Sequence, residues 1–246
     1  MSQHVHVEDR DGVALVRIDR PPANAMDLAL LEEGHAVLRQ LAKDEPAAVV
    51  LVGREGFFSA GVDLKVVPTL DADGQRAMVA GINRLFAGWY GFPRPVVCAV
   101  SGHAIAGGLI LALCGDYRVG STEGRLGLTE LRVGIPYPAV AMAVVRAELT
   151  PAVARQLVLR AELIDPSRAR DWGLVDELAA PDGVLPRALE VATELAALPA
   201  RAYATIKQQL RGGSLDAALA GDGGPAVDWL DSETAGAAAS VLRGDG

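Results

Sequence analysis

The stretch Val96-Val97-Cys98-Ala99-Val100-Ser101-Gly102-His103-Ala104-Ile105-Ala106-Gly107-Gly108-Leu109-Ile110-Leu111-Ala112-Leu113 decides the fold. Its first five residues are apolar without alternation, the pattern of a strand covered on both faces in a parallel sheet. A turn of small residues follows, and residues 109–113 then read as a buried helix, with Tyr117-Arg118-Val119 opening a further strand. The same rhythm occurs upstream, where the apolar run 47–52 leads into Gly56-Phe57-Phe58-Ser59-Ala60-Gly61-Val62-Asp63-Leu64-Lys65. Strand, glycine-bearing loop and helix, repeated, predict a layered α/β fold with functional loops at strand ends. Small residues at both turns let bare backbone N–H groups approach a ligand oxygen, and two donors aimed at one oxygen make an oxyanion hole.

Outward from these segments, residues 13–18 read as a first strand, closed by Arg20-Pro21-Pro22, whose prolines remove ladder donors. Asp27 is placed to cap a helix carrying Leu30, Leu31, Gly34, Leu38 and Leu41 at helical spacing, with Glu32 and Glu33 in its first turns. A second helix is expected within 69–92, around Met78, Ile82, Leu85 and Trp89. From Pro138 onward the pattern is helical: 140–149, 151–159 with Thr150 as N-cap, 166–172, 184–198 and 200–211. A Gly221-Asp222-Gly223-Gly224-Pro225 break precedes a last apolar stretch through Trp229 and Val241. Leu210, Leu215, Val227, Trp229 and Leu230 are too apolar for a free linker and call for burial. The expected organisation is a core over 1–190 and a C-terminal helical region over 191–246.

Half of the 246 residues are apolar, enough for a full hydrophobic core. A net charge of −8 argues against nucleic acid and against a polybasic membrane patch. No uninterrupted apolar stretch suits a bilayer span, and residues 1–11 lack the basic-then-apolar order of a signal region. Cys98 and Cys114 both lie in apolar runs, as small buried hydrophobes do, and so few cysteines fit a reducing cytoplasm.

Each motif has a plainer reading. The first is equally a strand-to-helix turn in which Gly61 takes a positive φ and Asp63 caps the helix. The second is equally close helix–sheet packing, and it lacks the lysine and Ser/Thr of a phosphate loop. His103 has no acid or nucleophile arranged around it in sequence, and Asp116 sits where a structural hydrogen-bonding residue is expected. Ser59 and Ser101 have glycine neighbours but not the Gly-x-Ser-x-Gly pattern of a serine hydrolase. On its own Glu130, in Gly127-Leu128-Thr129-Glu130-Leu131-Arg132-Val133-Gly134-Ile135, is an ordinary loop carboxylate.

Taken together, the two glycine motifs, their spacing, Cys114-Gly115-Asp116-Tyr117-Arg118 and the Glu130 segment resemble the crotonase family, also called the enoyl-CoA hydratase/isomerase family. The resemblance covers residues 10–180 or so and implies a spiral of ββα turns, with C-terminal helices packed between subunits of a homotrimer or hexamer. It implies an acyl-CoA substrate, an oxyanion hole from the N–H groups of Val62 and Gly107, and Glu130 as acid/base. Arg20, Ala60, Asp63, Leu64, Lys65 and Lys207 fall where such proteins meet coenzyme A, which belongs to the substrate, so no separate metal or redox cofactor is expected. Hydratases of the family carry a second glutamate three residues after the oxyanion glycine, and here that position is Ile110. A one-glutamate site is similar to that of the 3,2-trans-enoyl-CoA isomerases. Hydration, thioester hydrolysis and non-catalytic acyl-CoA binding stand as alternatives.

Overall fold

The computed structural model describes residues 3–220 and Trp229. The expected break at 221–225 and the apolar residues Val227, Leu230 and Val241 lie outside the described residues, as does most of the expected C-terminal region beyond 220. A six-stranded sheet has the order β1 (Val5–Arg10), β2 (Val13–Ile18), β3 (Ala48–Val52), β5 (Val96–Val100), β7 (Tyr117–Ser121), β9 (Glu177–Ala179). Only the β1–β2 pair is antiparallel, and the other neighbours are parallel. Three short parallel strands, β4 (Gly56–Ser59), β6 (Gly102–Ile105) and β8 (Leu126–Gly127), form a second sheet. Three successive turns, β3–β4, β5–β6 and β7–β8, each contribute one strand to the large sheet and one to the small sheet, and helices complete the layers.

The unbroken apolar runs are explained by cover on both faces. Val50, Val52, Val97, Ala99 and Val119 face α7 (Val184–Ala196), which contributes Val184, Ala188, Val191 and Ala192. Val49, Leu51, Val96, Cys98 and Val100 face the main core, with Leu31, Leu38 and Leu41 of α1 (Leu28–Asp44) and Ile82, Leu85 and Phe86 of α2 (Ala72–Tyr90). Each buried Val, Leu, Ile or Phe among them contributes about 1.5–3 kcal/mol relative to exposure. Residue 190, expected to bound the core, falls inside α7.

Local signals set several boundaries. Asp27 accepts from Leu30 N at 2.8 Å to start α1, and Thr150 accepts from Val153 N at the start of α5 (Pro151–Arg160). Asp71 caps α2 through Gly74 N. Glu33 does not serve the first turn of α1; it accepts the N–H groups of Gln3, His4 and Val5 and ties β1 to the helix. After α3 (Gly107–Leu113), α4 (Ala139–Glu148) and α6 (Pro166–Asp171), α8 (Ala200–Ala220), the last helix among the described residues, runs nine residues past its expected end at 211. Among the described residues no helix is long and apolar enough to cross a membrane.

Candidate active site

The two glycine motifs leave adjacent strands of the small sheet. β4 ends at Ser59, and Gly61 turns the chain at φ +80°, so that Val62 begins the return. β6 ends at Ile105, and Ala106 then takes φ +52° and ψ −128° before Gly107 opens α3. An L-residue in that region costs about 1–3 kcal/mol, so the surroundings must enforce it. Ala106 N donates to Gly127 O at 2.8 Å, which pins the kink to β8. A side chain at Gly108 would stand 2.1 Å from Ser59 O, and one at Gly61 would stand 2.9 Å from Gly107 N. Only glycine permits this approach, and it makes the Val62 and Gly107 amides neighbours: a Cβ built on Gly107 would lie 4.0 Å from Val62 N. Among the described residues neither amide donates to a main-chain carbonyl, because Gly61 O and Asp63 N make the bridge to Met26 and Gly107 has no acceptor one turn back.

Val62 and Gly107 both line a cavity of about 810 Å³ whose remaining lining is mainly apolar, including Leu64, Ile82, Phe86, Ile110, Val133 and Trp229. Glu130 enters from the 3-10 turn Glu130–Val133 that follows β8. It is the one carboxylate in the wall among the described residues, and Ile110, 2% exposed, faces the same space from α3. Glu123, an acid that could have replaced a second carboxylate, is exposed outside it.

Glu130 is 8% exposed, and burial pushes its carboxyl from 4.5 up to about 7. The Tyr137 hydroxyl opposes that rise by donating to Oε2 at 2.8 Å. A carboxylate so held can exchange a proton near neutral pH, and paired amides can take up negative charge on an oxygen.

The other expected residues divide. Ala60 and Leu64 line the cavity with Val62. Lys65 is exposed and outside the wall, with its N–H on Asp63 Oδ1 at 3.0 Å. Arg20 and Asp63, expected at coenzyme A, are engaged with each other: Arg20 Nη1 meets Asp63 Oδ2 at 2.9 Å and Nη2 meets Asp27 Oδ2 at 2.7 Å. This ion cluster clamps the Val62 loop to the start of α1. Lys207, expected to reach coenzyme A, is 7% exposed with its ammonium 2.7 Å from Asp116 Oδ2. Arg211 meets the other oxygen of Asp116 at 3.0 Å, so both cations fasten α8 to the core, where burial demands a counter-ion. Asp116 also accepts from Val96 N and is structural, as expected. His103 stacks on Phe57, away from the cavity wall.

Tyr137, Arg132 and Trp229 line the cavity without having been singled out as site residues. Trp229 Nε1 donates to Pro136 O at 2.9 Å and backs the segment that carries Tyr137. The readable hint was Pro136-Tyr137-Pro138, a tyrosine between two φ-fixing prolines seven residues after the glutamate.

The family model described as enoyl-CoA hydratase/isomerase matches residues 8–221. A Mycobacterium tuberculosis protein named probable enoyl-CoA hydratase EchA17 is 35% identical over 199 residues, 80% of this chain and 76% of the relative. The crystal structure of enoyl-CoA hydratase EchA3 from Mycobacterium ulcerans superposes with a TM-score of 0.85 at 31% identity, covering 89% of this chain and 96% of the other. Human mitochondrial delta3-delta2-enoyl-CoA isomerase gives the same TM-score, 0.85, at 24% identity over 99% of this chain and 93% of its own, a likeness of fold alone.

Proposed function

The chain belongs to the enoyl-CoA hydratase/isomerase family, and from that premise we propose that it is a Δ3-Δ2-enoyl-CoA isomerase working through one carboxylate. The observation that supports this reading is the cavity wall, which Glu130 shares with Val62 and Gly107 and to which Ile110 adds an apolar side chain in place of a second carboxylate. The Val62 and Gly107 amides hold the thioester oxygen. Glu130 takes a proton from C2, and the C–H electron pair forms the enolate whose charge the amides receive. The neutral acid then returns that proton to C4, the C3–C4 π pair forms the new C–H bond, and the carbonyl re-forms with a C2–C3 double bond. The step balances without a metal or redox cofactor, coenzyme A being part of the substrate. Ala60 and Leu64 line its approach.

Hydration is the competing reading, favoured by the names of EchA17 and EchA3. Addition of water needs an oriented water and an acceptor for its proton, which Ile110 does not offer. A panel of 2- and 3-enoyl-CoA esters, assayed separately for isomerisation and hydration, decides between them. Isomerisation is expected to exceed hydration; efficient hydration with negligible isomerisation would make the hydratase reading primary. Ile110→Glu is expected to raise hydration about tenfold, short of the 10²–10⁴ of a well-placed acid or base, because burial in an apolar wall disfavours the new charge. Exposed Leu198, Ile206, Leu210 and Leu219 support assembly as a trimer or hexamer, and the two free buried thiols fit a cytoplasmic protein.

A further inference from the structure

Glu130 has two carboxylate oxygens, and the structure gives one of them away. Tyr137 stands between Pro136 and Pro138, whose rings fix the backbone on both sides. Behind it, Trp229 Nε1 binds Pro136 O at 2.9 Å. Ahead of it, Val140 N donates to Asn83 Oδ1 at 3.0 Å and fixes the first turn of α4 against α2. The phenol is thus aimed by a rigid segment, and its hydroxyl donates to Glu130 Oε2 at 2.8 Å.

We propose that Tyr137 is a positioning residue that occupies Oε2 of Glu130, leaving Oε1 to carry the proton between C2 and C4 and denying a second oxygen to a nucleophilic water. The inference rests on the isomerase reading for its consequence, but not for the Tyr137–Glu130 pairing itself. Two wall positions together then disfavour hydration: Ile110 supplies no carboxylate, and Tyr137 engages half of the one present. Among the described residues the helices that line the cavity add no competing titratable group, since α2 presents Ile82 and Phe86, α3 presents Ile110 and α4 presents Ala141. Arg132, the remaining charged side chain in the wall among the described residues, directs its Nε to Ala161 O at 2.6 Å.

Tyr137→Phe removes the hydroxyl and keeps the ring. The lost hydrogen bond favoured the carboxylate, so the acid limb of the rate profile is expected to move up by about one pH unit, with a roughly fivefold to tenfold loss of isomerisation at pH 7 that narrows at pH 9. The ratio of hydration to isomerisation is expected to rise. Infrared titration of the Glu130 carboxyl band, assigned by its absence in Glu130→Gln, reads the same shift without any turnover. A folded Tyr137→Phe with an unmoved band, or with an unmoved acid limb and an unchanged ratio, overturns the proposal. If the band moves but the wild type does not isomerise, the pairing stands and the isomerase reading falls.

Discussion

Glu130→Gln is expected to lower turnover by about 10²–10⁴, the range for loss of a positioned acid/base, while acyl-CoA affinity changes little. Glutamine keeps the shape of the side chain and a carbonyl for the Tyr137 hydroxyl, but it cannot accept a proton from C2. Wild-type rate is expected to rise with pH through about 7, as the carboxyl held up by burial ionises. Stability moves the other way. The folded carboxyl keeps its proton to about 7 whereas the unfolded one loses it near 4.5, so the folded state binds more protons between those values and stability falls as pH rises through that window. Removing the charge should recover up to roughly 3 kcal/mol at pH 8 and almost nothing at pH 4. Thermal melts of wild type and variant at both pH values, beside steady-state rates, check both halves. Near-normal turnover by the variant would show that another group is the base.

Gly107→Pro is expected to cost about 10²–10³ in turnover by deleting one oxyanion donor. Gly107 is the first residue of α3, where a proline loses no helical hydrogen bond, while its ring takes the place of the N–H and further restricts Ala106, already at φ +52°. Gly107→Ala is the control: its Cβ would meet Gly61 Cα at 3.6 Å, an ordinary contact, and its N–H is kept. The pair should therefore differ widely in rate and little in melting temperature. Equal loss of activity in both, in step with loss of folding, would mean that the glycine serves packing.

Where the sequence was legible, one local rule sufficed. The runs at 48–52 and 96–100 had to be strands buried on both faces, and Asp27 and Thr150 declared their helix starts. The glycines of both motifs also announced close backbone approach, which Gly108 against Ser59 O makes unavoidable. Elsewhere the deciding partner was distant in the chain. β1, polar at His6, Glu8, Asp9 and Arg10, is an edge strand that owes its order to β2 and to Glu33. The strands β4, β6 and β8 are two to four residues long, too short to show a period. Nothing in the sequence near Arg20 or Lys207 points to Asp63 and Asp116, the carboxylates that the fold brings to them. Tyr137 gained meaning only from the hydroxyl contact with Glu130.

The central claim, that one shielded carboxylate serves both ends of a 1,3-proton shift, is tested most directly by following a deuterium label. A 3-enoyl-CoA deuterated at C2 is converted in ordinary water, and the 2-enoyl-CoA product is analysed by mass spectrometry and NMR for label at C4. With Glu130 8% exposed in an apolar wall, exchange of the abstracted deuteron with solvent competes poorly, and a measurable fraction of the product is expected to carry deuterium at C4. Product with solvent hydrogen alone at C4, from the first turnover onward, would contradict the single-base account.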